Sequence, residues 1–468
     1  MEKKNIDRRH FLKASALTSA FLGLTPGSLK SNDKEWVKDE LERLSTPKKA
    51  QGKSVMGLTV EPIEQLKVAF IGVGNRGSNH VERMQAMYPK AKVTAICDIR
   101  EERAKESADF LKKNGQKVAV YTGKEEAWKE MVKRDDIDLV LIATPWKDHA
   151  PMAIYCMQQG KHVAVEVPVA TTLEDCWKLI DTAEQTQRNC MMLENVCYGD
   201  DELWILNMVN EGVFGTLTYG EAAYIHNLKA GLFSDKYYQK WRMTHHVATD
   251  GNLYPTHGLG PVAQYMGIGR GDRFDHLVSM SSLQVGLTEL SKTVDSDNEY
   301  YNRTDFAHGD MNNSLIKTNN GRSILLQHDV VTPRPYSRIN ALAGTKGYHE
   351  GYPSRLALKE VDDGHDWVSE SKYNEMRERY KHPIWEKLKA EIAKNNDHGG
   401  MDFVMTYRLV DAFNKGRALD MDVYDGVDWS VVTPLSATSV QLGSVAIKFP
   451  DFTRNNWKNK RELGMLKK

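Results

Sequence analysis

Gly72, Gly74 and Gly77 stand in the spacing G-x-G-x-x-G directly after the apolar run Leu66 to Gly72 (LKVAFIG). That spacing suits a dinucleotide. The first glycine permits a tight turn, and the second lets a pyrophosphate approach the backbone. The third lets the following helix pack closely on the strand, and the helix N-terminus offers free N–H groups to phosphate. Asp98 closes the next apolar run, Lys92 to Ile99, 21 residues after Gly77, where a carboxylate holds a ribose 2′-hydroxyl. A 2′-phosphate would face that carboxylate, so the pattern predicts NAD rather than NADP, although Arg100 lies close by.

These residues need a doubly wound sheet to position them. Leu66 to Gly72 has the length and near-continuous apolar character of a parallel strand buried on both faces. A helix is expected from about Ser78 to Met87. Further strands are expected at 117–121, 138–144, 162–167 and 190–198, with helices at 124–134, 148–159 and 173–187 between them. Such alternation specifies a parallel sheet whose ligands lie at the carboxyl ends of the strands. Three strand-end segments should therefore face the cofactor: Thr144 to His149 with Trp146, Lys147 and Asp148; Glu166-Val167-Pro168; and Asn195.

After residue 198 the pattern changes. Strand-like runs at 216–227, 276–285, 311–318, 322–331 and 338–344 dominate, with helices at 202–210, 257–266 and 401–415. One face of a mostly antiparallel sheet would pack on these helices, and the other would cover the nicotinamide end of the first domain. The charged stretch 352–397 reads as a surface helix and loops. The fold class is thus α/β: an N-terminal Rossmann doubly wound parallel sheet at 63–198, then a C-terminal α+β domain with a mostly antiparallel open sheet at 199–468. Ligands favour such junctions.

Lys+Arg and Asp+Glu both total 63, so no net field draws the chain to nucleic acid or anionic lipid. No apolar run is long enough to span a bilayer, and no membrane anchor is expected. Cys97, Cys156, Cys176, Cys190 and Cys197 are odd in number, have no metal-ligand spacing and fall in apolar stretches, so buried free thiols are expected. His245-His246 lacks a spaced third ligand in its segment, so no metal is expected.

Residues 1–30 read as an address. Arg8 and Arg9 precede Phe11-Leu12-Lys13 and the weakly apolar run Ala14 to Leu24, which resembles a twin-arginine export signal with Asp7 in place of the usual Ser or Thr. That route moves folded proteins, often with a cofactor installed, so a periplasmic or secreted enzyme carrying its own NAD is expected. Residues 31–62 read as a polar linker with a short helix.

The order GVGNRG, ICDIR, ATPWKDHAPMA and EVP, followed by a sheet domain, resembles the glucose-fructose oxidoreductase and inositol dehydrogenase superfamily. More narrowly, MMLENVCYG, WRMTHH…YPTHGLGP, TPRPYSRINALAGTKG and HGGMDFVM resemble glycosyl hydrolase family 109, the NAD-dependent α-N-acetylgalactosaminidases. Dehydrogenase members commonly carry Glu-Lys-Pro at the strand end, and here Val167 replaces the proton-handling lysine. Many also place an aspartate four residues before His257, where this chain has Leu253.

The resemblance implies a redox-neutral glycosidase. NAD oxidises C3 of the sugar, a base removes the acidified C2 proton, the glycosidic oxygen leaves, water adds, and the hydride returns. Tyr254 and His257, three apart at a helix start, share one face and are the leading acid–base candidates, and an imidazole can serve as base near neutral pH. Tyr336, beside Arg334 and Arg338, can act as acid or orient the sugar. Arg242 can bind hydroxyls or stabilise an enolate, and Tyr224 and Trp241 offer flat faces for a sugar ring. By the resemblance, Tyr224, Arg242, Tyr254, Pro255, Thr256, His257 and Tyr336 contact an α-N-acetylgalactosamine-terminated glycan. Asn75, Arg76, Asp98, Trp146, Lys147, Asp148, His149, Glu166, Val167 and Asn195 contact NAD. The alternative is an exported sugar oxidoreductase like glucose-fructose oxidoreductase. The sequence leaves the oligomeric state open, a homodimer being one option.

Overall fold

A computed structural model describes residues 41–42, 46 and 48–466. The expected export signal lies outside the described residues, as does much of the expected linker.

The first sheet is built from β1 (Leu66–Ile71), β2 (Ala91–Cys97), β3 (Ala119–Tyr121), β4 (Leu139–Ile142), β5 (His162–Val165) and β6 (Cys190–Met192). Its order is β3-β2-β1-β4-β5-β6, and every pairing is parallel. The chain winds outward from β1 through β2 and β3, then returns to place β4 on the other side of β1. That reversal opens a crevice at the carboxyl ends of β1 and β4, where such folds bind dinucleotides. The crossovers are α1 (Asn75–Ala86), α2 (Glu101–Lys113), α3 (Ala127–Val132), α4 (Trp146–Gln158) and α5 (Leu173–Thr186).

The apolar run 190–198 does not continue as strand. β6 stops at Met192, and Asn195–Tyr198 forms a 3-10 turn capped by the Glu194 side chain, which accepts from the Val196 N–H at 3.2 Å. A short apolar run buried on all sides has no periodicity to distinguish strand from turn.

The second domain opens with α6 (Asp200–Asn210) and β7 (Leu217–Ile225), followed by α7 (Trp241–Ala248) and α8 (Thr256–Tyr265). Its other strands are β8 (Phe274–Ser281), β9 (Asn312–Thr318), β10 (Ser323–Asp329), β11 (Ala341–Gly344), β12 (Gly347–Glu350), β13 (Arg355–Leu358) and β14 (Ile447–Lys448). The eight run in the order β13-β12-β11-β7-β10-β9-β8-β14. The pairing is antiparallel as expected except between β7 and β10, which run parallel with Tyr224 opposite His328. The charged stretch after residue 352 contributes β13 to the sheet edge as well as surface helices.

Two C-terminal helices tie the halves together, and a third supports the second sheet. α9 (Met401–Asn414) packs on α1, β1 and the 195–198 turn, and α10 (Val423–Ser430) packs on α5 and β6. α11 (Val432–Gln441) supports β8. Asp422 starts α10 with a reciprocal capping box to Asp425, which gives these two buried acids backbone N–H partners. All five cysteines are buried and free, as their settings predict. Among the described residues, no helix is long and apolar enough to cross a membrane, and no group of three or more His, Cys, Asp or Glu could hold a metal ion.

Candidate functional site

The glycine loop is shaped for close approach. Gly72 has φ +84°, and a Cβ there would lie 2.7 Å from the Ala143 carbonyl oxygen. A Cβ on Gly77 would lie 2.0 Å from the Gly72 carbonyl oxygen, so α1 can enter against β1 only because both are glycine. Gly74 caps α1 without a side-chain bond, and no acid occupies the first turn. The helix therefore presents its free N–H groups to an anion. Asp98 is buried and accepts from the N–H of Val73 at 2.8 Å and of Arg100 at 2.9 Å, which fixes it beneath the loop.

The second domain reaches across this loop. The Asn75 side-chain amide donates to the Lys236 carbonyl at 2.8 Å, and the Arg100 guanidinium lies over the Tyr238 ring at 4.9 Å. Arg103 donates to the Asn75 side-chain oxygen at 3.3 Å.

Arg76 sits inside an ion network. It donates to Glu166 at 2.7 Å and to both oxygens of Asp402 at 2.7 and 3.0 Å. Glu166 also meets His80 Nε2 at 2.6 Å, and Asp402 accepts from Asn195 at 2.7 Å and lies 3.2 Å from Arg83. Burial alone would raise Glu166, but the Arg76 charge and the His80 contact outweigh it and hold the carboxyl far below the usual range. Asn195 keeps its side-chain oxygen buried without a partner, an acceptor left over beside the crevice.

The strand-end loops hold each other. His149 is buried, with Nδ1 at 2.8 Å from the Pro168 carbonyl and Nε2 at 2.8 Å from the Thr144 carbonyl. Both ring nitrogens thus lie against backbone carbonyls of the two loops, and the neutral ring, kept so by burial, donates its single N–H to one of them. Lys147 is exposed in the first turn of α4, Asp148 is half-buried with burial raising its carboxyl, and Val167 is buried.

Trp146 starts α4 and stacks on Tyr254, centroids 5.5 Å apart. Arg242 lies 4.8 Å from each of these two rings, 5.4 Å from Tyr237 and 5.9 Å from Tyr224. Its Nε and Nη2 are buried without hydrogen-bond partners, and no carboxylate among the described residues forms an ion pair with it. Tyr224 and Tyr254 are in ring contact at 4.5 Å, and burial pushes Tyr224 up to about 12 and Tyr254 well above the ordinary phenol value. Tyr336 stands at the rim, 42% exposed, 6.4 Å from the Tyr224 ring.

Helix α8 brings the acid–base candidates together. Pro255 caps it, Thr256 is fully buried, and the Tyr254 hydroxyl lies 3.4 Å from His257 Nε2. A Cβ on Gly258 would lie 2.4 Å from the Ala223 backbone nitrogen, so α8 lies directly on β7 beside Tyr224. On its other side His257 Nδ1 meets Glu194 Oε1 at 2.6 Å, and Glu194 is fully buried.

Comparison with known proteins places this arrangement. Residues 66–194 match the oxidoreductase family with an NAD-binding Rossmann fold, and residues 198–459 match the C-terminal domain of glycosyl hydrolase 109. A glycosyl hydrolase family 109 protein of Shewanella pealeana is 47% identical over 466 residues, covering 98% of this chain and 99% of the relative. The chain belongs to glycosyl hydrolase family 109. A family relative from Shewanella oneidensis, an alpha-N-acetylgalactosaminidase, is 46% identical, with 99% of each chain covered. Among solved structures, levoglucosan dehydrogenase in complex with NADH aligns with a TM-score of 0.61 at 19% identity, covering 82% of this chain and 99% of that one. An NAD binding oxidoreductase from Klebsiella pneumoniae gives 0.62 at 16%, covering 82% and 99%. Both share the fold.

NAD is the cofactor of this family 109 enzyme, and the residues fit it: the cradle admits no Cβ at Gly72 or Gly77, the α1 start without a side-chain cap suits pyrophosphate, and Asp98 suits a ribose. Three residues escaped sequence reasoning. Glu194 lay inside an apolar run, and Asp402 lay in a helix far along the chain. His398, with φ +49°, is held by Asp402 at 2.8 Å and is 56% exposed. The segment HGGMDFVM carried the only local signal for the last two.

Proposed function

We propose that this enzyme releases terminal α-linked N-acetylgalactosamine from a glycan by oxidation, elimination, addition and reduction at one bound cofactor. One observation carries the reading: the strand ends that carry the dinucleotide cradle meet an aromatic and cationic cluster whose nearest acids are not available as a glycosidase pair. Glu166 is committed to Arg76 and His80, and Glu194 to His257. An ordinary glycosidase needs two free carboxyl groups flanking the bond.

When bound, NAD supplies reversible two-electron oxidation at the sugar C3. The chain supplies the proton handling. Tyr254 and His257 take the C2 proton and return it. Arg242, a buried cation without a carboxylate partner, offsets the negative charge that develops on the enolate oxygen. Trp146 packs against Tyr254 and Arg242 and fixes both, and the rim position of Tyr336 suits it to protonate the leaving oxygen. The relative from Shewanella oneidensis supports the choice of sugar.

Hydrolysis of p-nitrophenyl α-N-acetylgalactosaminide in heavy water tests the reading, beside the galactose and β-linked analogues. The released sugar should carry deuterium at C2 and none at C3. Active enzyme that leaves ordinary hydrogen at C2 would exclude the redox route.

We also propose that the enzyme is exported with NAD in place. The Arg8-Arg9 signal supports this reading, as does chemistry that regenerates its own cofactor in each cycle.

A further inference from the structure

We propose that Glu194 is the positioning residue of the acid–base site: its carboxylate dictates which nitrogen of His257 carries the proton, and so makes the Tyr254 oxygen the group that exchanges protons with the substrate. This rests on the glycosidase reading above.

The argument starts from donor and acceptor chemistry. Glu194 Oε1 accepts from the Val196 N–H at 3.2 Å and lies 2.6 Å from His257 Nδ1, and its Oε2 is buried without a partner. A carboxylate can only accept, so at 2.6 Å the hydrogen of that contact belongs to Nδ1. A neutral imidazole has one N–H, and Nε2 is then a bare lone pair. Nε2 faces the Tyr254 hydroxyl at 3.4 Å. Burial, followed by the neighbouring Tyr224, pushes Tyr254 far above the ordinary phenol range, so the phenol keeps its proton and directs it to Nε2. Among the described residues the Tyr254 oxygen has no other hydrogen-bond partner, so its lone pairs remain for a ligand, while its ring packs against Trp146, Tyr224 and Arg242.

The proton count closes. One proton passes from the substrate to the Tyr254 oxygen as the phenol proton passes to His257 Nε2. The imidazolium that results, with N–H on both nitrogens, sits against the Glu194 carboxylate. The reverse transfer restores the resting state.

The chain leaves this task to Glu194. Leu253, four residues before His257, is a buried hydrocarbon. Glu194 comes instead from the end of the first sheet, 63 residues away, and Gly260 makes room for it, since a Cβ there would lie 3.1 Å from Glu194 Cγ. The neighbouring residue, Asn195, is tied to Asp402 at 2.7 Å, so this segment is fixed from two sides. The titratable and charged groups around His257 are Glu194, Tyr254 and the Tyr224 ring at 5.6 Å, with His226 and Arg242 beyond them.

The test uses full-length, NAD-loaded enzyme labelled with 15N-histidine, with the His257 signal assigned through His257→Gln. In the wild type the Nδ1–H tautomer is expected, with a strongly downfield proton that disappears in Glu194→Gln. That variant should keep its NAD content and KM, lose roughly 10- to 100-fold in kcat, and move the acid limb of kcat/KM about one unit or more to lower pH, because the imidazolium loses its counter-charge. Tyr254→Phe should lose kcat without moving that limb. An Nε2–H tautomer in the wild type would overturn the assignment, as would a Glu194→Gln profile lowered in height but unmoved along the pH axis. The tautomer needs no turnover to be read. A wild type that is inactive on the glycoside therefore counts against the glycosidase reading, not against Glu194.

Discussion

Gly260 and Glu194 are in contact through a missing methyl group: a Cβ on Gly260 would lie 3.1 Å from Glu194 Cγ, 3.1 Å from Cys197 Sγ and 3.0 Å from the Trp429 ring. Neighbours would have to yield by a few tenths of an ångström. Gly260→Ala should therefore cost about 1–3 kcal/mol of stability by overpacking. Its kcat should fall roughly tenfold or more, because Glu194 is pushed from its bond to His257, while KM changes little. Calorimetry and steady-state kinetics on one preparation check both. Unchanged kcat would show that the Glu194–His257 distance is not critical.

Asp402 gathers Arg76, Arg83, Asn195 and His398 at the junction of the two domains. Burial opposes its charge, but these partners hold it well below the ordinary carboxyl value. A carboxyl depressed in the fold gives its full stabilisation above the unfolded value, near 4, and loses it as pH falls through the folded value. Asp402→Asn should cost about 3–5 kcal/mol at pH 7, since it leaves buried cations short of an acid. The Tm gap to wild type should narrow as pH falls below about 4. A gap of constant width from pH 7 to pH 3 would refute the account.

Behind Tyr224 lie three buried histidines. His308 Nε2 is 3.2 Å from His328 Nδ1, and the His246 and His308 rings are 4.7 Å apart. Burial lowers all three, and mutual repulsion adds to this for His246 and His328. The unfolded chain thus takes up protons that the fold does not. Stability is full above the unfolded imidazole value, about 6.5, and falls below it by up to about 1.4 kcal/mol per pH unit for each ring. Melting temperatures between pH 7 and 5 should show this decline, and His246→Leu should flatten it. A wild type with constant Tm across that range would contradict the neutral cluster.

The export proposal has its own test. Arg8→Lys with Arg9→Lys keeps the charge but loses both guanidinium groups, and the two side chains are not equivalent. In a host with a twin-arginine translocase, the double variant should accumulate in the cytoplasm as uncleaved, active enzyme. The exported wild type should release about one NAD per chain on denaturation, even after long dialysis. Normal export of the double variant, or empty exported protein, would count against the proposal.

What could be read from the chain alone was whatever local spacing dictates. The glycine loop and Asp98 depend on backbone geometry within a few residues, and they lie where that geometry puts them; Tyr254 and His257 also meet, but Tyr254 precedes the helix cap, so no shared helical face brings them together. Glu194 and Asp402 act on partners 63 and 326 residues away, and no periodicity encodes such a pairing. Arg76 and His149 are placed at the expected strand and helix ends, yet their polar atoms bind Glu166, Asp402 and backbone carbonyls. Their position followed from the motif, but their partners followed only from the packed fold.

The placement of Asp402 also sets an order of events during synthesis. Arg76 can meet Glu166 within its own half, but the ion-pair partners of Arg83 among the described residues, Asp397 and Asp402, lie some three hundred residues later. The first domain leaves the ribosome before the two acids that bind Arg83 across the junction exist, so this contact of α1 is completed only by residues made much later. A truncated chain ending before residue 397 would carry the whole glycine motif and still lack the acids that hold it in place.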